Sequence, residues 1–445
     1  FMKIILFSMS LVISGLVVAA DPFESTYQPR EHEITLIKGA SNFDGAGRLW
    51  LDSDLLIQDG KVREIGKELD QKAGVILDAS GKWITPGIID VHSHLGVYPS
   101  PAISSTSDGN ESTSPNTANV WAEHSVWPQD PQFSLALAGG VTTMQILPGS
   151  ANLFGGRGVT IKNVPSRTVQ GMKFPSAPHG LKMACGENPK RVYGSRKSAP
   201  STRMGNVAGY RAEWLKAVEY RDKRRNYDPE GEKPRPNRDL RMETLVGVLD
   251  GEIIVHNHCY RADEKATLIE VSKEFGYKIG TFHHAVESYK IADLLAQEEI
   301  CSAMWADWWG FKLEAFDGIQ QNIALVENAG ACAIVHSDSA RDIQRLNQEA
   351  SKARSAGIRM GIDTSKEDAI GWITLNAAKS LGIEKVTGSL EPGKAADLVI
   401  WSRDPFSVYS KAEKVFIDGY LYFDRMTGKK PVTDFALEQL VEVGP

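Results

Sequence analysis

From residue 86 to about residue 385 the chain repeats one unit, a short apolar run of strand length followed by a stretch with helical spacing. The strand candidates are Gly87–Val91, Val141–Ile146, Gly158–Lys162, Leu181–Cys185, Ile253–His256, Lys278–Phe282, Ile300–Met304 and Ala331–His336. Helical periodicity follows several of them, at 266–275, 288–298 and 318–329. This rhythm predicts an α/β chain built on a (β/α)8 TIM-like barrel, whose chemistry collects at the C-terminal strand ends. A doubly wound sheet would instead need its ligands at a topological switch point, and no glycine fingerprint follows the first strand.

Both flanks of the barrel alternate apolar runs with glycine turns. Ile34–Ile37, Asp54–Ile57 and Val75–Leu77 lie before it, and Ala396–Trp401 and Lys414–Gly419 after it. The expectation is a small β-sandwich domain made by both chain ends, residues 21–85 and 386–430, around a barrel of residues 86–385. Residues 431–445 read as a C-terminal tail. The irregular stretch 186–250 is rich in Lys and Arg and reads as a solvated rim. The alternative is that Lys190, Arg191 or Arg203 meets a substrate carboxylate there.

A formal net charge of −6 gives no general attraction to nucleic acid, which is excluded as a partner. At the N-terminus Met2-Lys3 precedes an apolar run, Ile4–Val18, and small residues at Val18-Ala19-Ala20. That is the pattern of a signal peptide, residues 1–20, cleaved after Ala20. The run is short for a membrane span of roughly 20 residues, so no stable membrane anchor is expected. The mature chain would be secreted or periplasmic. Four cysteines are too few for a disulfide scaffold and sit in or beside apolar strand-like segments, which reads as buried free thiols.

The first strand ends in Asp90-Val-His-Ser-His94. Residues i and i+2 of a strand share a face, so His92 and His94 point the same way and suit a borderline divalent metal. His256 and His258 end the fifth strand, His283 and His284 the sixth, and His336 and Asp338 the eighth. Seven of the ten histidines therefore fall at strand ends, a concentration that packing alone does not require. Beyond the seventh strand, Asp307 and Lys312 stand in an aromatic loop, Trp305–Glu314, that would face substrate.

These segments resemble the amidohydrolase superfamily, in particular its imidazolonepropionase-like and metal-dependent dipeptidase–carboxypeptidase group. The carrying motifs are Trp83–His94, His256-Asn-His258, His284 with Glu287–Lys290, Ser337-Asp338, Thr374–Ala378 and Gly388–Val399. The resemblance implies one or two divalent ions, zinc by preference. His92 and His94 would hold the buried ion, and His256 and His284 the other, preferred over His258 and His283. Asp338 would be both ligand and proton shuttle. On the fourth strand a carboxylated Lys182 would bridge the ions, with Glu187 as the alternative. Tyr289, His258, Asp307 and Lys312 are candidates for substrate contact.

The implied reaction is hydrolysis of an amide bond in a small molecule, a dipeptide or N-acyl amino acid. A metal lowers the pKa of bound water from about 16 toward 7 and supplies hydroxide, while Asp338 moves the proton to the leaving nitrogen. Cyclic-amide hydrolysis or deamination shares the same ligands. A non-catalytic metal- or ligand-binding protein would be expected to lack some of them. The resemblance leaves a homo-oligomer open.

Overall fold

A computed structural model describes residues 21–427 apart from 71, 232 and 233. The expected signal peptide, its cleavage after Ala20 and the tail 431–445 lie outside the described residues. The first flank forms β1 (Thr35–Phe43), β2 (Leu49–Gln58), β3 (Lys61–Gly66), β4 (Val75–Asp78) and β5 (Trp83–Pro86). The barrel region contributes β6 (Ile88–Ser93), β7 (Val141–Ile146), β8 (Phe154–Lys162) and β9 (His179–Ala184). It continues with β10 (Ile253–Cys259), β11 (Ile279–His284), β12 (Cys301–Met304) and β13 (Ala333–Val335). The return flank adds β14 (Leu398–Trp401), β15 (Ala412–Ile417) and β16 (Tyr420–Asp424).

The two flanks meet in one sheet, ordered β16-β15-β14-β5-β1-β2-β3 with β4 beside β1. Its seam is the antiparallel pair β5–β14, where Ile84 faces Ile400. Ile37, Leu55, Ile57, Leu398 and Phe416 bury a separate apolar cluster on it.

The second sheet runs β6 to β13 in chain order as a nearly closed barrel. Apolar alternation predicts these strands but not their direction: β8 runs antiparallel to both β7 and β9. Only residues 147–153 separate β7 from β8. A parallel crossover needs about a dozen residues or more, so the connection is a hairpin. The edges β6 and β13 do not pair directly. Trp372 and Ile373 stand between them, with Ile89 N donating to Ile373 O (2.9 Å) and Val335 N to Trp372 O (3.1 Å). Beyond that seam Asp338 N donates to His92 O at 3.2 Å, which brings the first and last strand ends together.

The reading of the cysteines as free thiols is corrected: Cys185 pairs with Cys259 and Cys301 with Cys332. Each member lies at an end of a barrel strand or just beyond one, and the partners are brought side by side by strand register, which sequence spacing does not reveal. Among the described residues no helix is long and apolar enough to cross a membrane.

Candidate metal centre

Every residue of β6 is buried, and His92 and His94 stand at its end as period-two spacing requires. Asp90 fixes them. Its carboxylate accepts His92 N–H (3.1 Å) and Ser337 N–H (3.3 Å), and its second oxygen accepts the Ser337 hydroxyl. One buried side chain thus stitches the first strand to the segment carrying Asp338. Burial pushes the Asp90 carboxyl up to about 7, against the lowering pull of these bonds. The sequence reading gave Asp90 no role, although an acid inside an apolar strand two residues before His92 is a signal that could have found it.

Five groups converge beyond β6. Nε2 of His92 lies 3.3 Å from Nε2 of His94 and 3.3 Å from the Lys182 amine. The Asp338 carboxylate lies 3.6 Å from His92 and 3.3 Å from His94, and 3.8 Å from Nδ1 of His284. The other ring nitrogen of His94, Nδ1, faces the carbonyl of Leu147 at 2.8 Å, so it carries the proton and Nε2 presents a lone pair. A bare imidazole nitrogen beside a second imidazole and a carboxylate is a donor set that suits a divalent cation. The ligand atoms of His92, His94 and Asp338 lie within 4.8 Å of one another, as do those of His92, His284 and His336. Among the described residues, the buried Nδ1 atoms of His258 and His284, and both ring nitrogens of His336, have no hydrogen-bond partner. The residues therefore fit a divalent metal. Burial pushes the Asp338 carboxyl up, but the His94 hydrogen bond and nearby charges outweigh it and hold it below the ordinary carboxylate range. His284 (φ +67°), Ala285 (+40°) and Asp338 (+50°) adopt left-handed backbone, a conformation that costs about 1–3 kcal/mol each. It turns the chain sharply at both strand ends.

Of the two fourth-strand candidates, Lys182 reaches the centre. Its side chain is fully buried, and burial pushes its amine down to about 7, with Asp338 opposing. Glu187 instead opens the helix Glu187–Gly194 at the rim and pairs with Lys312 at 3.5 Å.

His256 and His258 share a face of β10 but not a depth, since two residues along a strand span about 7 Å. His258 and His284 line the cavity above the centre, with ring centroids 4.4 Å apart. His256 sits one layer deeper, hydrogen bonded to His283 (2.9 Å) and Gln145 (3.2 Å). His283 in turn contacts His92 Nδ1 at 2.9 Å.

The cavity has a volume of about 490 Å³ and is lined by His92, His94, His258, His284 and Asp338 below. Toward its mouth stand Arg191, Asn188, Lys312 and Tyr260. The Lys312 amine lies 3.8 Å from the centre of the Tyr260 ring. Asp307 and Tyr289 are not brought to this cavity. Asp307 pairs with Lys352 at 2.8 Å, and the Tyr289 hydroxyl donates to Asp317 O at 3.0 Å. Arg191, of the basic stretch, lines the mouth and enters no ion pair among the described residues.

An amidohydrolase family model matches residues 288–422. A crystal structure of an amidohydrolase from Thermotoga maritima MSB8 superimposes with a TM-score of 0.80 and 38% sequence identity, over 88% of this chain and 100% of that one. The amidohydrolase tasK of Hapsidospora irregularis is 31% identical over 416 residues, 87% of this chain. The chain spans only 42% of that relative's length. Imidazolonepropionase from Rhizobium rhizogenes is 22% identical over 395 residues, 79% of this chain and 86% of its own.

Proposed function

The chain belongs to the amidohydrolase family, and from that premise we propose that it hydrolyses the amide bond of a dipeptide or N-acyl amino acid at a divalent metal centre. The observation that carries this reading is the meeting of His92, His94 and Asp338 at the floor of one cavity, with the buried Lys182 amine 3.3 Å from His92. In this reading His92, His94 and Asp338 hold one ion and His258 and His284 a second. His258 thereby takes the ligand role that the family resemblance suggested for His256. Lys182, carboxylated on its amine, would bridge them, because a bare ammonium repels cations. Zinc suits the nitrogen-rich set. Bound there, the metal supplies a Lewis acid and an acidified water.

The remaining steps belong to the chain's own residues. Asp338, held ionised among imidazoles, accepts a proton and delivers it to the leaving nitrogen. Arg191 at the mouth offers its guanidinium to a substrate carboxylate, a charge-assisted contact. Export fits the two disulfides, which persist in oxidising compartments. We take residues 21–85 and 386–430 as one unit curling into a sandwich on the Ile37–Leu398 cluster, with the barrel at 86–385.

The test is elemental analysis of the purified protein together with turnover on dipeptides, N-acyl amino acids, cyclic amides and aminopurines. A metal ratio near two with hydrolysis of carboxylate-bearing amides is expected. Turnover confined to cyclic amides would favour the second reading, which the imidazolonepropionase likeness supports. Full metal without any turnover would overturn an enzymatic role.

A further inference from the structure

Beneath the metal centre lies a single file of buried side chains. His92 Nδ1 meets His283 Nδ1 at 2.9 Å, and His283 Nε2 meets His256 Nδ1 at 2.9 Å. His256 Nε2 meets the side-chain amide of Gln145 at 3.2 Å. All four residues are at most 1% exposed. Gly180 makes room for the far end: a Cβ there would stand 2.7 Å from both the Gln145 amide nitrogen and the His256 ring.

We propose that His283, His256 and Gln145 are positioning residues that set the tautomer of His92, and with it whether His92 offers the metal a lone pair or a proton. The inference rests on the metal-centre reading above. No carboxylate reaches His283 or His256 in these contacts, so the rings are neutral and each carries one proton. Each nitrogen–nitrogen contact needs one proton, no more and no fewer. Only two patterns meet that condition along the whole file.

In the first, His92 Nδ1–H donates to His283, His283 Nε2–H donates to His256, and His256 Nε2–H donates to the Gln145 oxygen. His92 Nε2 is then a bare lone pair aimed at His94 and Asp338. In the second, every bond reverses, the Gln145 NH2 donates to His256, and His92 Nε2 carries a proton into the centre. The amide lies with Nε2 toward His256 and Oε1 without a partner among the described residues, and a half-turn exchanges the two. An amide donates or accepts a hydrogen bond but carries no proton away. The file is therefore a clamp on His92 and not a proton exit. A metal ion on Nε2 selects the first pattern through three rings to Gln145. Conversely, a ring or amide locked in the second pattern weakens the ion.

The experiment uses full-length zinc-loaded protein with 15N-labelled histidine, each ring assigned by substitution. Long-range proton–nitrogen spectra should show His92 as Nδ1–H, and His283 and His256 as Nε2–H. Zinc affinity measured by chelator competition should fall about ten- to a hundredfold in His283→Leu. His283→Gln should stay within about threefold of the parent, because its amide accepts from His92 and donates to His256. His283 observed as Nδ1–H, or parental zinc affinity in His283→Leu, overturns the clamp while leaving the metal centre standing. If His283→Leu does not fold, the tautomers of the parent decide alone. Failure of the parent to bind zinc in stoichiometric amount overturns the metal-centre reading, and the clamp with it.

Discussion

The amine of Lys182 lies 3.3 Å from Nε2 of His92, inside the ring of ligands and out of reach of bulk water. A lysine so placed opposes cation binding unless its charge is removed. Burial does half of this, lowering the amine to about 7. The neutral amine is the form that adds to carbon dioxide, giving a carbamate and releasing a proton. Ammonium predominates below pH 7 and does not react. Reconstitution of the metal-free protein with zinc and bicarbonate should therefore quicken as pH rises from about 6 to 8. With 13C-bicarbonate a carbamate resonance should appear, and Lys182→Ala should lose it along with at least one equivalent of metal. A fully loaded, fully active protein without that resonance would remove Lys182 from the bridging role.

Asp338 combines a lowered pKa with contacts to three ligand histidines. Asp338→Asn preserves shape and left-handed tolerance but cannot take up a proton. We expect an unchanged melting temperature in the metal-free protein and a turnover lower by about 10²–10⁴, the usual range for a lost general acid–base. Parental turnover in this variant would reassign the proton transfer.

The strand count was legible because the barrel strands are short runs dominated by apolar residues, several of them rich in β-branched residues, such as Ile88-Ile89, Val141-Thr142-Thr143 and Ile334-Val335. The reversed direction of β8 was not, since periodicity is the same read either way. The depth of His256 against His258 was hidden for a related reason. Alternation reports the face of a strand, whereas the ligand layer depends on where neighbouring strands place Lys182 and His284. The cysteine pairs were illegible because each forms across neighbouring segments, and Asp307 because Lys352, which pairs with it, lies 45 residues away in sequence.

Asp90 receives three donors at full burial. Asp90→Ala leaves the backbone N–H groups of His92 and Ser337 and the Ser337 hydroxyl without acceptors, each worth about 1–3 kcal/mol when stranded. Asp90→Asn keeps an acceptor for the backbone pair. Thermal unfolding of metal-free protein should place Asp90→Ala well below Asp90→Asn. Equal melting temperatures would mean that Asp90 does not stitch the first and last strands.

The Cys185–Cys259 bond joins the strand carrying Lys182 to the strand carrying His258, and Cys185 N also donates to His258 O at 2.9 Å. It closes a loop with a sequence separation of 74, and loop-closure entropy assigns such a crosslink about 4 kcal/mol. The Cys301–Cys332 bond, with a separation of 31, is worth slightly less by the same reasoning. Only the first links two elements that bear candidate ligands. Cys185→Ala/Cys259→Ala should therefore lower both stability and zinc affinity. The Cys301→Ala/Cys332→Ala pair should lower stability by a similar amount with less effect on zinc. Denaturant unfolding beside chelator competition separates the two. Equal losses of zinc affinity in both pairs would show that the first bond acts only on the global fold.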